Sequence, residues 1–182
     1  VGVGLIIAAG RRVSIRSRLL VKEALNVDSY GGIVRLVKSV LFMTLCFEVT
    51  GAVLSFLVFS RDYDPVHAPV SYTHLTVHAL GISIFHSIAA FNNSGFDVLG
   101  GLRNLIPYRD SILLNMTTCF LIIFGGLGFL VILDLLKHRD FRHLTFHSKA
   151  VITTTIGLLV VGTLLLKATE DITWMGAFFH SV

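Results

Sequence analysis

The string formed by residues 92–96 carries the most specific chemistry in this sequence. It reads Asn-Asn-Ser-Gly-Phe and follows a short apolar segment, residues 78–91. Because glycine has no Cβ and readily adopts positive φ, such a string can turn consecutive backbone carbonyls toward one axis, where their oxygens replace the water around a cation. The same residue types also form ordinary surface turns, but a position between two apolar segments favours the cation site. The carbonyls assigned to this site are those of Asn92, Asn93, Ser94 and Gly95.

Two residues are predicted to support the string. Phe96 ends it, and Glu48 lies near the middle of an apolar stretch, residues 36–59. An ionisable group at that depth is costly in a membrane, so it is a functional candidate by default. We predict that the Glu48 carboxyl group hydrogen-bonds the backbone of the short apolar segment or of the string, with direct contact to an ion as the alternative.

Three glycines in a later apolar stretch, Gly125, Gly126 and Gly128, have two alternative roles. Small residues let helices pack closely in a membrane, and glycine also permits a hinge. We predict close packing as the main role and keep the hinge as the alternative. The polar residues nearby that are predicted to bond the backbone or a neighbouring helix are Asn115, Thr117 and Thr118.

Metal and catalytic chemistry have little support in the sequence. Among eight histidines, His74 and His78 have helical spacing, but they lie in or beside a stretch to which no function is assigned. Cys46 and Cys119 lie in apolar stretches without a ligand partner. The sequence has no GxSxG, HExxH or Walker A motif. We therefore predict no catalytic residue, no resident cofactor and no metal beyond a transported cation.

The composition places these residues in a membrane. The 182 residues are 54% hydrophobic and 14% charged, whereas soluble domains carry about 25% charged residues. The net charge of +4 does not indicate nucleic acid binding, because the basic residues form short runs beside long apolar stretches. Lipid is therefore the predicted surrounding, and nucleic acid is not a predicted partner.

Three stretches approach the roughly 20 apolar residues that cross a bilayer, namely residues 36–59, 112–133 and 150–166. Residues 78–91 are too few to cross and predict a re-entrant or interfacial helix. Eleven of the fifteen Lys and Arg residues fall on one side of this topology, which marks that side as cytoplasmic. The string is therefore predicted to lie toward the outer face.

The sequence also contains an internal repeat. Residues 85–88 read Phe-His-Ser-Ile and match residues 179–182, which read Phe-His-Ser-Val. In the first and third spans a lysine precedes a glycine by 13 residues, at Lys38 with Gly51 and at Lys149 with Gly162. These two spans are therefore predicted to be equivalent, and the chain to be a fragment of a longer repeat protein.

Residues 85–97 resemble the pore-helix and filter segment of the Ktr/Trk/HKT potassium transporters. Residues 125–129, Gly-Gly-Leu-Gly-Phe, resemble the start of the glycine-rich stretch in their following helix, and residues 11–26 resemble their connection between the first two repeats. Those proteins carry four repeats of a span, a pore helix with its filter loop, and a second span (M1-P-M2) around one pore. The Asn92-Asn93 pair and Asp97 favour the Ktr branch over the Trk branch.

The resemblance implies an all-α membrane protein of the potassium-channel-like M1-P-M2 type. Residues 1–10 would end a preceding M2 helix, 11–31 form a cytoplasmic linker, 32–137 form a complete repeat, and 138–182 hold a linker, an M1 helix and the start of a pore helix. It also implies K⁺ uptake by a multi-pass protein of the plasma membrane, a homodimer, and a cytoplasmic nucleotide-binding ring as regulator. The preference between K⁺ and Na⁺, and any sodium dependence, stay open.

Two alternatives also stay open. A cation channel subunit with one M1-P-M2 unit per chain fits the same string, although the non-identical repeats argue against it. A membrane enzyme with an intramembrane Glu/His site is the alternative from another class. Residues 64–77 have no recognised counterpart in the family, and no function is assigned to them.

Overall fold

The computed structural model describes residues 30–61, 72–97, 99, 104–138 and 140–182. Within these residues the regular structure is helical, without a β-strand. The α-helices are α1 (Tyr30–Phe59), α2 (Tyr72–Phe91), α3 (Ile112–Leu127), α4 (Phe129–His138), α5 (Phe146–Thr169) and α6 (Trp174–Ser181), with short 3-10 turns at Ile106–Tyr108 and Phe141–His143. The predicted end of a preceding M2 helix and nearly all of the predicted linker fall in residues 1–29, outside the described residues.

Helices α1 and α5 have the length and composition of membrane spans. They contain 30 and 24 residues, against the roughly 20 that cross the hydrocarbon core. Apolar side chains along both are widely exposed, for example Val53 at 55% and Leu158 at 68%. Such exposure suits a lipid surrounding, because lipid tails are as apolar as these side chains. The first and third predicted spans are thus confirmed as helices of spanning length.

The second predicted span is not one straight helix. Helix α3 ends at Leu127, α4 begins at Phe129, and the two axes meet at 96°. Gly128 between them has a φ of 83°, a left-handed conformation that ends an α-helix and that glycine adopts without a Cβ clash. Taken together, α3 and α4 still have the length and composition of one span, broken at this bend. Hydropathy, on which the prediction over residues 112–133 rests, records apolar length but not backbone direction.

Helix α2 is the short apolar helix of the prediction. It ends at Phe91 as predicted but begins at Tyr72 rather than at His78, so its first turns fall in the segment to which no function was assigned. Its described apolar part, Thr76–Phe91, is shorter than a span. The helix packs against α3, and the buried residues on it are Ala79, Ser83, His86, Ser87, Ala89 and Ala90.

Contacts divide the chain into two units within α1, after Cys46. The larger unit, Phe47–Val182, contains the string and every contact discussed below. Its most deeply buried apolar side chains include Leu114 and Leu121 of α3 and Val131 of α4. Helix α3 and the first residues of α4 are therefore the buried centre of this unit, with α2 packed on α3 and carrying the string at its end.

Candidate cation site

The string leaves α2 through two left-handed residues. Asn93 has a φ of 51° and Gly95 a φ of 67°, with Ser94 between them. Asparagine tolerates this conformation better than most residues, and glycine adopts it freely. Ser94 anchors the turn, because its N–H and its hydroxyl both donate to the Ala89 carbonyl at 3.0 Å. The chain is thereby turned out of the helix while it stays bonded to the helix end.

The carbonyls of residues 92–95 accept no hydrogen bond from the part of the chain that the structure describes. The N–H groups of residues 92–94 donate to the carbonyls of residues 88–90, which are the last acceptors of α2. Within the part of the chain that the structure describes, no donor reaches the carbonyls of residues 92–95. All four of these residues are exposed. The predicted site residues therefore share one property that a cation site of this kind needs, which is oxygens without a protein donor.

Glu48 lies beside the first residue of the string. Its Oε1 accepts a hydrogen bond from Nδ2 of Asn92 at 3.3 Å, and the same nitrogen lies 2.8 Å from the Ile88 carbonyl. The carboxyl group thus meets a side chain of the string, whereas the prediction had it bonding backbone. Its contact nevertheless turns the Asn92 side chain back onto α2, which leaves the Asn92 carbonyl for other partners.

The crossing of α1 and α2 depends on one hydroxyl and one glycine. The Ser87 hydroxyl donates to the backbone carbonyl of Glu48 at 2.7 Å. Gly51, one turn further along α1, lies against the same hydroxyl, and a Cβ there would stand 2.6 Å from a methyl carbon of Leu121. The absence of a side chain at Gly51 therefore lets α1, α2 and α3 meet at one point.

Helices α5 and α6 cross in the same way. The Ser181 hydroxyl donates to the Leu159 carbonyl at 3.1 Å, and Gly162 lies against that hydroxyl. Leu159 follows Glu48 by 111 positions, and Gly162 follows Gly51 by the same 111. The sequence repeat is therefore accompanied by a repeated helix crossing, with the same serine and glycine in both copies.

The three predicted glycines divide between packing and bending. Gly125 lies directly against the Phe91 carbonyl, so any Cβ there would overlap the end of α2. A Cβ on Gly126 would stand 3.3 Å from Nδ2 of Asn93. Gly128 has open space around it, and its positive φ forms the bend. Gly125 and Gly126 thus allow close packing, whereas Gly128 forms the bend.

An aromatic cluster supports the end of α2, and the sequence analysis did not identify it. The Phe47 ring stacks on Phe91 at 5.5 Å and on Phe124 at 5.2 Å between ring centroids, and Phe120 lies 4.4 Å from Phe124. The spacing of Phe120 and Phe124, four residues apart in one helix, was the available signal. Phe96, predicted as a support, is 65% exposed and lies 6.1 Å from the Phe85 ring.

His86 anchors α2 to α3 from the buried face. Its Nε2 lies 2.9 Å from Oγ1 of Thr118, whose hydroxyl donates to the Leu114 carbonyl at 2.8 Å. Because that hydroxyl hydrogen is already used, the His86 Nε2–H is the donor of the pair. The edge of the Phe59 ring packs on the imidazole at 5.8 Å. Thr117 also bonds the backbone, as predicted, through Leu113.

A cavity of about 1230 Å³ lies beside the string. Asn93 and Gly95 border it on one side, and Gly176 and Phe179 of α6 border it on another. The charged residues that line it are Arg109, Asp110 and Asp171. Among the described residues, no group of three or more His, Cys, Asp or Glu side chains is arranged to hold a metal ion. Within this part of the chain, the string therefore lies beside an open cavity and not beside a cluster of metal-ligating side chains.

The fold and the site define a helical membrane protein in which a short apolar helix ends in exposed backbone carbonyls that no described residue pairs. The family model described as TrkH, cation transport protein, matches residues 7–172. The chain therefore belongs to the Ktr/Trk family of cation transport proteins, as the sequence predicted. This is a family of transporters, so the alternative of a membrane enzyme is not supported.

The names of similar proteins agree with this assignment. The chain is 33% identical over 162 residues to the potassium/sodium uptake protein NtpJ of Enterococcus hirae, covering 89% of this chain and 33% of that protein. It is 34% identical over 160 residues to the Ktr system potassium uptake protein B of Bacillus subtilis (88% and 33%). The corresponding protein of Vibrio alginolyticus is 33% identical over 186 residues (94% and 38%). The chain thus spans about a third of the length of these relatives.

Proposed function

We propose that this chain forms one sector of the pore of a potassium uptake protein, in which the carbonyls of residues 92–95 coordinate K⁺ as it sheds its water. The observation that carries the proposal is the set of exposed carbonyls without a donor among the described residues, turned out of α2 by Asn93 and Gly95. A cation gives up its hydration shell only where oxygens replace it. The C-terminal end of α2 adds negative partial charge at the same place.

The proposed architecture is M1-P-M2. In it α1 is M1, α2 is the pore helix, and α3 with α4 is a bent M2, which together make up the complete repeat of residues 32–137. Helix α5 is the M1 of the next repeat and α6 the start of its pore helix, within residues 138–182. The support is the shared crossing, Ser87 on Glu48 and Ser181 on Leu159. Residues 1–10 and 11–31 are proposed as the preceding M2 end and the linker.

Two sets of contacts are proposed to hold the string in place. The first is Glu48, which fixes the Asn92 side chain. The second is the surface of α3 formed by Gly125 and Gly126, which lies against Phe91 and Asn93. Both sets act on the backbone path rather than on the ion, so they are positioning contacts.

The proposed cargo rests on the names of the relatives, and the proposed assembly rests on the family resemblance. Relatives are named for potassium uptake and for potassium/sodium uptake, so K⁺ is the proposed cargo and Na⁺ the cation to test against it. We further propose a multi-pass protein of the plasma membrane, present as a homodimer with a cytoplasmic nucleotide-binding ring. A channel subunit with one unit per chain is disfavoured, because this chain already holds two copies of the crossing and spans about a third of its relatives.

The test uses the complete protein that carries this chain, in cells without K⁺ uptake of their own. Gly95→Ser forces a side chain into a left-handed position at a strain of about 1–3 kcal/mol, or it turns a carbonyl away from the ion. We expect the half-saturating K⁺ concentration or the K⁺/Na⁺ preference to change by about tenfold at normal protein abundance.

Gly81→Ser is the matched control, because Gly81 lies in α2 with open space around it and no positive φ. We expect uptake by this variant to equal that of the parent protein. Unchanged K⁺ affinity and K⁺/Na⁺ preference in Gly95→Ser, at normal abundance, would show that the string does not coordinate the ion.

A further inference from the structure

Asp134 of α4 ties that helix to the beginning of α5. Its Oδ2 accepts hydrogen bonds from both the backbone N–H and the hydroxyl of Thr145, each at 2.9 Å, and its Oδ1 lies 2.9 Å from Nδ1 of His138. Thr145 is the N-cap of α5, where its hydroxyl oxygen accepts the Ser148 N–H. The Asp134 side chain is only 10% exposed. One carboxylate therefore satisfies donors in helices of two different proposed repeats.

The helix that Asp134 holds is the one that bends away at Gly128. Helix α4 meets α3 at 96°, and Val131 and Ile132 on it are buried. Glycine populates many backbone conformations, so Gly128 by itself does not fix the direction of α4. Within the described ranges, the hydrogen bonds between α4 and the start of α5 all end on Asp134. The bend is therefore maintained by apolar packing and by this one carboxylate.

The residues just before the bend touch the string. Gly125 lies against the Phe91 carbonyl, and Gly126 faces Nδ2 of Asn93. The end of α3 thus has the string on one side and the bend on the other. A change in the direction of α4 acts on this glycine surface, and through it on the backbone of the string.

We propose that Asp134 is a positioning residue for ion permeation: it holds α4 against α5 and so keeps the glycine surface of α3 seated against the string. The inference rests on the proposed pore function, and it concerns a residue that does not line the cavity beside the string. Asp134 acts through the geometry of the string, so its loss changes the affinity or selectivity of uptake and not only the amount of folded protein.

The experiment compares Asp134→Asn with Asp140→Asn in the complete protein. Asp140 accepts the Arg142 N–H at 3.1 Å, lies 3.3 Å from Nδ1 of His143 and is 55% exposed. Because both contacts stay within the loop before α5, Asp140 is the matched control. We expect Asp134→Asn to change the half-saturating K⁺ concentration or the K⁺/Na⁺ preference by about tenfold, because bonds to a charged acceptor are among the stronger ones. Asp140→Asn should behave as the parent protein.

Two further measurements separate positioning from a purely structural role. Thr145→Val removes the hydroxyl donor and should reproduce the kinetic change, while Thr145→Ser keeps the hydroxyl and should restore normal uptake. Gly126→Ala combined with Asp134→Asn should give less than the sum of the two single effects, since both act on one contact. The Thr145 pair decides the question if Asp134→Asn does not fold.

The proposal is overturned if Asp134→Asn and Thr145→Val lower abundance while uptake per molecule keeps its K⁺ affinity and K⁺/Na⁺ preference. Strict additivity with Gly126→Ala would also overturn it. A parent protein that takes up neither K⁺ nor Na⁺ is a different result, because it contradicts the proposed function itself.

Discussion

Ser87 donates its hydroxyl hydrogen to the backbone carbonyl of Glu48 at 2.7 Å, so the crossing of α1 and α2 does not use the Glu48 side chain. The crossing of α5 and α6 also uses only a backbone carbonyl, because Ser181 donates to the carbonyl of a leucine, Leu159. The position can therefore carry glutamate in one crossing and leucine in the other. The carboxyl group of Glu48 is left to bond Asn92 at the start of the string.

The first prediction concerns the glycine at this crossing. A Cβ on Gly51 would fall against the Ser87 hydroxyl and Leu121, so Gly51→Ala overpacks the junction of three helices. We expect a loss of about 1–3 kcal/mol in the free energy of unfolding. The measurement is the melting temperature of the purified protein in detergent, together with its abundance in the membrane.

Gly157→Ala serves as the control for that substitution. Gly157 lies in α5 with no atom within 4 Å of a Cβ, and alanine is the better helix former. We expect this variant to melt at or slightly above the temperature of the parent protein. Equal melting of Gly51→Ala and Gly157→Ala would contradict the close approach of α1 and α2.

The second prediction separates two roles of Glu48. Glu48→Gln keeps an oxygen that can accept the Asn92 Nδ2 hydrogen, so K⁺ affinity should stay near that of the parent protein. Glu48→Ala removes the acceptor, and a bond of about 0.5–1.5 kcal/mol is lost, so the K⁺/Na⁺ preference should fall by less than about tenfold. An equal loss of K⁺ affinity in both variants, at normal abundance, would instead indicate that the carboxylate touches the ion.

The sequence predicted the helices well where one physical rule decides them. The apolar stretches of α1 and α5 approach the length that crosses a bilayer, and the end of α2 at Phe91 follows from the polar string behind it. It left open whether Gly128 forms a hinge, because residues on both sides are apolar and only the backbone φ separates two helices. Hydropathy carries no information on that angle, so the bend could be located only in the three-dimensional structure.

The candidate site, like the helices, could be predicted only in part. The string could be selected from its residue types, but its supports depend on contacts between distant residues. Phe47 and Phe124 are far apart in sequence and meet at 5.2 Å, and Asp134 reaches Thr145 across a loop. No local pattern marks either pair, since phenylalanine is common in apolar helices and a single aspartate near a helix end has many uses.

The third prediction concerns orientation. The excess of basic residues places the loop between α4 and α5 on the cytoplasmic side and Asn104, which follows the string, on the outer side. Asn104→Cys and His147→Cys, in a background with Cys46→Ala and Cys119→Ala, should react with an impermeant thiol reagent from opposite faces. Both positions are exposed, so access is not limited by packing. Labelling of both from one face would reject the proposed topology.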